Sequence, residues 1–132
     1  MKSLLIILSF TICSALGAAM RLGMTNLAKL LWGQAFYGTL IVNLIGAACI
    51  GLFYVAFSQS QLWLEVDRAW YQVFIAGLLG SLTTFSGFAL EIVTMLMQKQ
   101  WPLAIAYVFA SVLLCVLVTF LTIKLGYWIA SL

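Results

Sequence analysis

The chain contains no histidine and a single proline, and only 7% of its 132 residues are charged. It has no imidazole, no nucleophile set beside a base and no acid pair at catalytic spacing, so an enzyme is not expected. Three cysteines at no metal-ligand spacing, again without histidine, exclude a zinc site. An odd number of thiols inside apolar stretches argues equally against a disulfide framework, and Cys13, Cys49 and Cys115 read as small hydrophobes in helix interfaces. Six scattered basic residues leave a net charge of +3, which makes no cationic patch for nucleic acid. No low-complexity run divides the chain, and residues 1–132 are expected to form one domain.

What remains is apolar. The chain is 66% hydrophobic with a mean hydropathy of +1.20, more than a soluble domain of this length can bury. It is read as an all-α integral membrane protein of the cell (inner or plasma) membrane, embedded in the lipid bilayer. Apolar runs at 4–22, 38–58, 70–98 and 101–128 predict four transmembrane helices. The opening "MKSLLIILSFTICSALGAA" has the order of a signal peptide, and cleavage would leave three helices from Met20. We expect it to be kept as the first crossing. The polar breaks are "MTN" with Lys29, then "SQSQLWLEVDR", then "QKQWP". Trp32, Tyr37, Trp63, Trp70, Tyr71, Trp101, Tyr127 and Trp128 cluster near them, as interfacial belts do. Residues 24–36 look too short and mixed to span, and predict a short interfacial helix or a re-entrant approach to the second crossing.

Four crossings put Lys2, Arg68 and Lys124 on one side and Arg21, Lys29 and Lys99 on the other. Positive charge thus gives no preferred orientation, and a chain that inserts both ways assembles naturally as an antiparallel, dual-topology homodimer. A parallel dimer oriented by some other signal is the alternative.

The third apolar run holds "GSLTTFSGF" at 80–88 and is about nine residues longer than the roughly 20 a span needs. Its midpoint falls at residue 84. We expect this helix to be broken at the bilayer midplane, which backbone tolerates only in protein or beside a cavity. Gly80, Gly87 and the hydroxyls at 81, 83, 84 and 86 ease the unwinding, and freed carbonyls near Gly80 and Thr83 suit a small cation. Close helix packing through small residues would explain the same composition. Phe85 and Phe88 share a face at i, i+3, where positive ring edges can meet a small anion, although such rings are more often packing.

Asn43, four residues after Thr39, brings amide donors into an apolar setting. Tyr107, Ser111, Cys115 and Thr119 at i+4 spacing make a polar stripe on the fourth helix, unless their hydroxyls bond back to their own backbone. Glu91, deep in the third helix, is expected to form a structural ion pair with Arg21. A route of donors and ring edges without an acidic ring suits a small, hard anion.

Three stretches then resemble the Fluc (CrcB-type) fluoride channel family across nearly the whole chain. "GAAMRLGM" (17–24) is similar to the end of the family's first helix. "GTLIVNLIG" (38–46) is similar to its Gly-Thr-Leu-x-Val-Asn-x-x-Gly signature, and "GLLGSLTTFSGFALE" (77–91) to its Thr-Thr-Phe-Ser segment ending in Glu. The resemblance implies a fluoride-selective passive channel, two pores per antiparallel homodimer and a structural sodium ion (Na+) on the two-fold axis. It implies that Phe85 and Phe88 face the pore and that Asn43 orients them and donates to the anion. Gly80 and Thr83 would give backbone carbonyls to sodium, and Thr39, Tyr107, Ser111 and Thr119 would line the path. Ser81, Gly87 and Cys115 depart from the family pattern. The rival readings are a proton-coupled small multidrug exporter working through Glu91, although the first helix has no acid, and a non-transporting membrane assembly subunit.

Overall fold

The computed structural model of the chain describes residues 1–59 and 68–132. Trp63, most of the polar stretch between the second and third crossings and the side chain of Arg68 lie outside the described residues. The described residues form helices throughout: α1 (Lys2–Trp32), α2 (Phe36–Gln59), α3 (Arg68–Gln72), a π-helical stretch (Val73–Leu79), α4 (Gly80–Leu82), α5 (Phe85–Met97) and α6 (Trp101–Ala130). Four runs are long and apolar enough to cross a membrane: Lys2–Trp32, Phe36–Ser58, Trp70–Met97 and Trp101–Ala130. The third crossing combines α3, the π-helical stretch, α4 and α5.

The first helix corrects one expectation. Residues 24–32 are not a separate interfacial segment but the continuation of α1. "MTN" is polar without being a breaker, and the Thr25 hydroxyl bonds back to the carbonyls of Arg21 and Leu22, both at 3.0 Å. The stop comes at Gly33, whose φ of 73° lets its N–H turn back to the Lys29 carbonyl. Arg21 therefore sits inside α1, eleven residues before its end.

A three-residue turn joins α5 to α6, which makes them antiparallel neighbours. Lys99 takes the left-handed conformation there (φ 60°), and the Gln100 N–H reaches the Met95 carbonyl at 2.9 Å. The central element is α2, packed against α6, α1 and the third crossing. α1 packs on the first half of the third crossing and α6 on the second. Between lipid and protein interior there is little difference in polarity, so helices associate by close packing and hydrogen bonds. Gly46 of α2 shows this. A Cβ at that position would overlap the Thr83 methyl, so only glycine lets α2 lie directly against the broken segment. Leu8, Leu16, Leu113 and Phe120 remain exposed on α1 and α6, as lipid-facing side chains should.

Candidate functional site

The third crossing breaks where "TT" stands. Thr83 (φ −80°, ψ 156°) and Thr84 (φ −150°, ψ 123°) are extended, at the middle of the Trp70–Met97 span. Each threonine closes one end of the break. The Thr83 hydroxyl donates to the Leu79 carbonyl at 2.9 Å, and the Thr84 hydroxyl caps α5 by accepting the Gly87 N–H at 3.1 Å. Gly87 packs against Thr84, where an added Cβ would come within 3.1 Å of its methyl.

Asn43 bridges to this break from α2. Its Oδ1 accepts the Thr84 N–H at 2.9 Å, and its Nδ2 donates to the Thr84 carbonyl at 3.3 Å. The Thr84 N–H is the group that would have bonded the Gly80 carbonyl in a continuous helix, so that carbonyl leaves the ladder. Two opposed helix ends result. The N-terminus of α5 offers N–H groups and a partial positive charge, and the C-terminus of α4 offers carbonyls.

Beside the break lies a cavity of about 530 Å³. Asn43, Gly80, Thr83, Phe85, Phe88 and Ser111 line it together with Thr84 and Cys115, all of them singled out in the sequence. No charged side chain is among the lining residues. The two rings differ: Phe88 is buried, whereas Phe85 is 80% exposed, with their centroids 5.8 Å apart. The Ser111 hydroxyl is buried and has no hydrogen-bond partner. A hydroxyl left unpaired in that way costs about 1–3 kcal/mol.

The remaining predicted residues go elsewhere. Thr39 and Tyr107 do not line the cavity; their hydroxyls donate to the two oxygens of Glu91, at 2.8 Å and 2.7 Å. The expected Arg21–Glu91 ion pair is therefore wrong. Glu91 satisfies its carboxyl with two hydroxyls from α2 and α6, and the buried Arg21 Nε has no partner. Thr119 also departs from the expected lining, because it donates to the Ala47 carbonyl at 3.0 Å and pins α6 to α2. Phe88 lies edge-on to the Tyr107 ring, with centroids 5.1 Å apart. Phe36 also packs on the Tyr107 ring, tilted 60° with centroids 5.1 Å apart, and the two contacts hold a ring whose hydroxyl donates to Glu91.

Sequence reasoning missed Thr84 as cap and Glu91 as the joint between three helices. Both were legible in spacing: 84, 88 and 91 fall at i, i+4 and i+7, one face of a helix, opposite 39 and 43 on α2. Among the described residues no group of three His, Cys, Asp or Glu comes together.

A helix broken at bilayer depth, closed by threonines and opening on an uncharged, donor-lined cavity, defines a class of small membrane transport proteins. Residues 8–123 match the family described as CrcB-like protein, Camphor Resistance (CrcB), and the chain belongs to it. A fluoride-specific ion channel FluC of Magnetococcus marinus is 39% identical over 113 residues, 85% of this chain and 89% of its own. One of Paracidovorax citrulli is 43% identical over 97 residues, 70% of this chain and 71% of its own. A third, of Pasteurella multocida, is 35% identical over 116 residues, 87% and 88% of the two chains.

Proposed function

We propose that this protein is a passive, fluoride-selective channel in the cell membrane that lets the anion leave down its gradient. The observation that carries the reading is the cavity at the break, lined by Asn43 and the Phe85 and Phe88 rings with no charged side chain among the lining residues. The relatives named as fluoride-specific channels, which match most of the chain, support the same reading.

The physical problem is dehydration. Moving an ion of carboxylate size into a medium of ε ≈ 4 costs of order 20 kcal/mol, and the smaller fluoride costs more. The cavity has candidate replacements for water: the second N–H of the Asn43 amide, the N-terminal end of α5 and the Phe85 and Phe88 rings, whose edges are positive. Anchoring Asn43 on Thr84 holds its amide in place, so little reorganisation is needed when an ion arrives. Glu91 stands off the cavity with both oxygens engaged, which keeps its carboxyl away from a passing anion.

The working form we propose is an antiparallel homodimer with two pores and a structural sodium ion on its two-fold axis. Support comes from the balanced positive charges and from the Gly80 carbonyl, which lacks its helical donor on an exposed face of the chain. Carbonyls of Gly80 and Thr83 from two copies form a hard oxygen set that suits sodium. Bound there, it would supply positive charge near the two anion paths. The exporter alternative needs a carboxyl free to exchange protons, and Glu91 is held by Thr39 and Tyr107 instead.

The test is ion efflux from liposomes holding the purified protein, with chloride measured in parallel and Phe85→Ile as the lining control. Fluoride leaves quickly, chloride stays, and Phe85→Ile slows the fluoride. A folded protein that releases neither ion, or both equally, refutes the channel reading.

A further inference from the structure

The turn between the first two crossings holds a second cleft. α1 stops at Gly33, and α2 begins three residues later at Phe36. This tight connection sets the Trp32 and Tyr37 rings edge to face, with centroids 5.9 Å apart. Trp32, Tyr37, Leu40 and Ile41 line a cleft of about 440 Å³. Leu40 also packs on the cluster of Phe36, Phe88 and Tyr107, which ties that wall to the packed interior. Polarity runs in one direction along the cleft. Trp32 and Tyr37 stand at helix ends, where such rings mark the membrane–water boundary, and Leu40 and Ile41 lie about one turn deeper on α2. Lys29 is exposed one turn before Trp32 on the same face of α1, and its long stem can carry the ammonium to the headgroup level. The Trp32 indole N–H, the Tyr37 hydroxyl and the Lys29 ammonium have no hydrogen-bond or ion-pair partner among the described residues. The one acidic side chain described, Glu91, is engaged by Thr39 and Tyr107.

We propose that this cleft is a binding site for one diacyl phospholipid, with its phosphate held by Lys29, Trp32 and Tyr37 and an acyl chain laid along Leu40 and Ile41. The site does not depend on the fluoride-channel reading. Two features select this occupant. A phospholipid has the same order of polarity as the cleft, anionic at the boundary and aliphatic below it. Its phosphodiester also brings one negative charge and free acceptor oxygens to the end where one cation and two unpaired donors stand. A second copy of the chain would offer no anion there from its described residues, since the Glu91 carboxyl is already engaged.

The experiment adds phosphatidylglycerol carrying a diazirine on one acyl chain to the purified full-length protein in detergent, irradiates it, and maps the adducts by peptide mass. The expected result is a dominant adduct within residues 30–41. Unlabelled phosphatidylglycerol competes it away, whereas dioleoylglycerol and inorganic phosphate do not. Lys29→Gln lowers the labelling about fivefold, the effect of one basic residue at a membrane surface, and Lys99→Gln leaves it unchanged. Trp32→Leu lowers it as well, and Lys29→Gln alone decides if that variant does not fold. Adducts spread evenly over the four crossings overturn the site and leave only bulk lipid contact. No adduct within 30–41 means that a second copy covers the cleft, which overturns it equally. Competition by dioleoylglycerol, or undiminished labelling of Lys29→Gln, overturns the recognition of phosphate, and competition by inorganic phosphate assigns the cleft to the free ion instead.

Discussion

Replacing Asn43 separates what holds the break together from what moves an ion past it. In Asn43→Ala the Thr84 N–H loses its 2.9 Å partner and the Thr84 carbonyl its 3.3 Å one. An unpaired buried donor costs about 1–3 kcal/mol and the longer bond roughly 0.5–1 more. Helix–helix bonds in membranes average nearer 0.6 kcal/mol, which favours the low end of that range. A loss of about 1.5–3 kcal/mol follows, a shift of roughly ten- to a hundredfold in the folding equilibrium. While its carboxyl is protonated, Asn43→Asp keeps an oxygen for the Thr84 N–H and a donor for the Thr84 carbonyl, so its structural cost is below about 1 kcal/mol. Once ionised, though, it sets a negative charge about 4 Å from a passing anion. At an effective ε of 20 that is ~4 kcal/mol, on the order of a thousandfold in rate. The two variants should rank in opposite orders: Ala less stable in an SDS titration of the purified protein, Asp slower in liposome efflux. Lowering the pH protonates the Asp carboxyl and restores a donor, so efflux through Asn43→Asp should recover in acid. Unfolding of Asn43→Ala together with the unchanged protein, or full-rate conduction by Asn43→Asp at alkaline pH, refutes this role for Asn43.

Three further outcomes are expected. Gly46→Ala drives a Cβ into the Thr83 methyl and should cost about 1–3 kcal/mol by separating α2 from the break, read as a lower thermal midpoint in detergent. Tyr107→Phe and Thr39→Val each remove one donor from Glu91 and should cost about 1.5–3 kcal/mol; a double-mutant cycle with Glu91→Gln should show strong coupling, absent between Arg21 and Glu91. Ser111→Ala deletes an unpaired hydroxyl, so the protein should be at least as stable while fluoride efflux slows; a clear loss of stability would show that the hydroxyl has a partner after all.

The sequence by itself determined the four crossings, because a span's length and apolarity are local properties of the chain. It also determined the break, since surplus length, two adjacent threonines and flanking glycines act within a few residues of one another. Helical spacing set Phe85 and Phe88 on one face and Ser111 in a polar stripe, but their meeting with Asn43 at one cavity is the work of the packing. What only the tertiary structure decided is which partner each polar group takes. Arg21 and Glu91 were matched by sign, but a carboxyl at that depth accepts whichever donors packing delivers, and α2 and α6 deliver Thr39 and Tyr107. Thr119 belongs to the predicted stripe by spacing and leaves it by contact, because the Ala47 carbonyl of α2 lies within reach. Asn43 shows the same division: its residue type announced a need for hydrogen bonds, and the approach of α2, which Gly46 permits, placed the Thr84 backbone where those bonds could form. Hydrogen-bond capacity is carried by the residue, whereas the partner is chosen by where the helices meet.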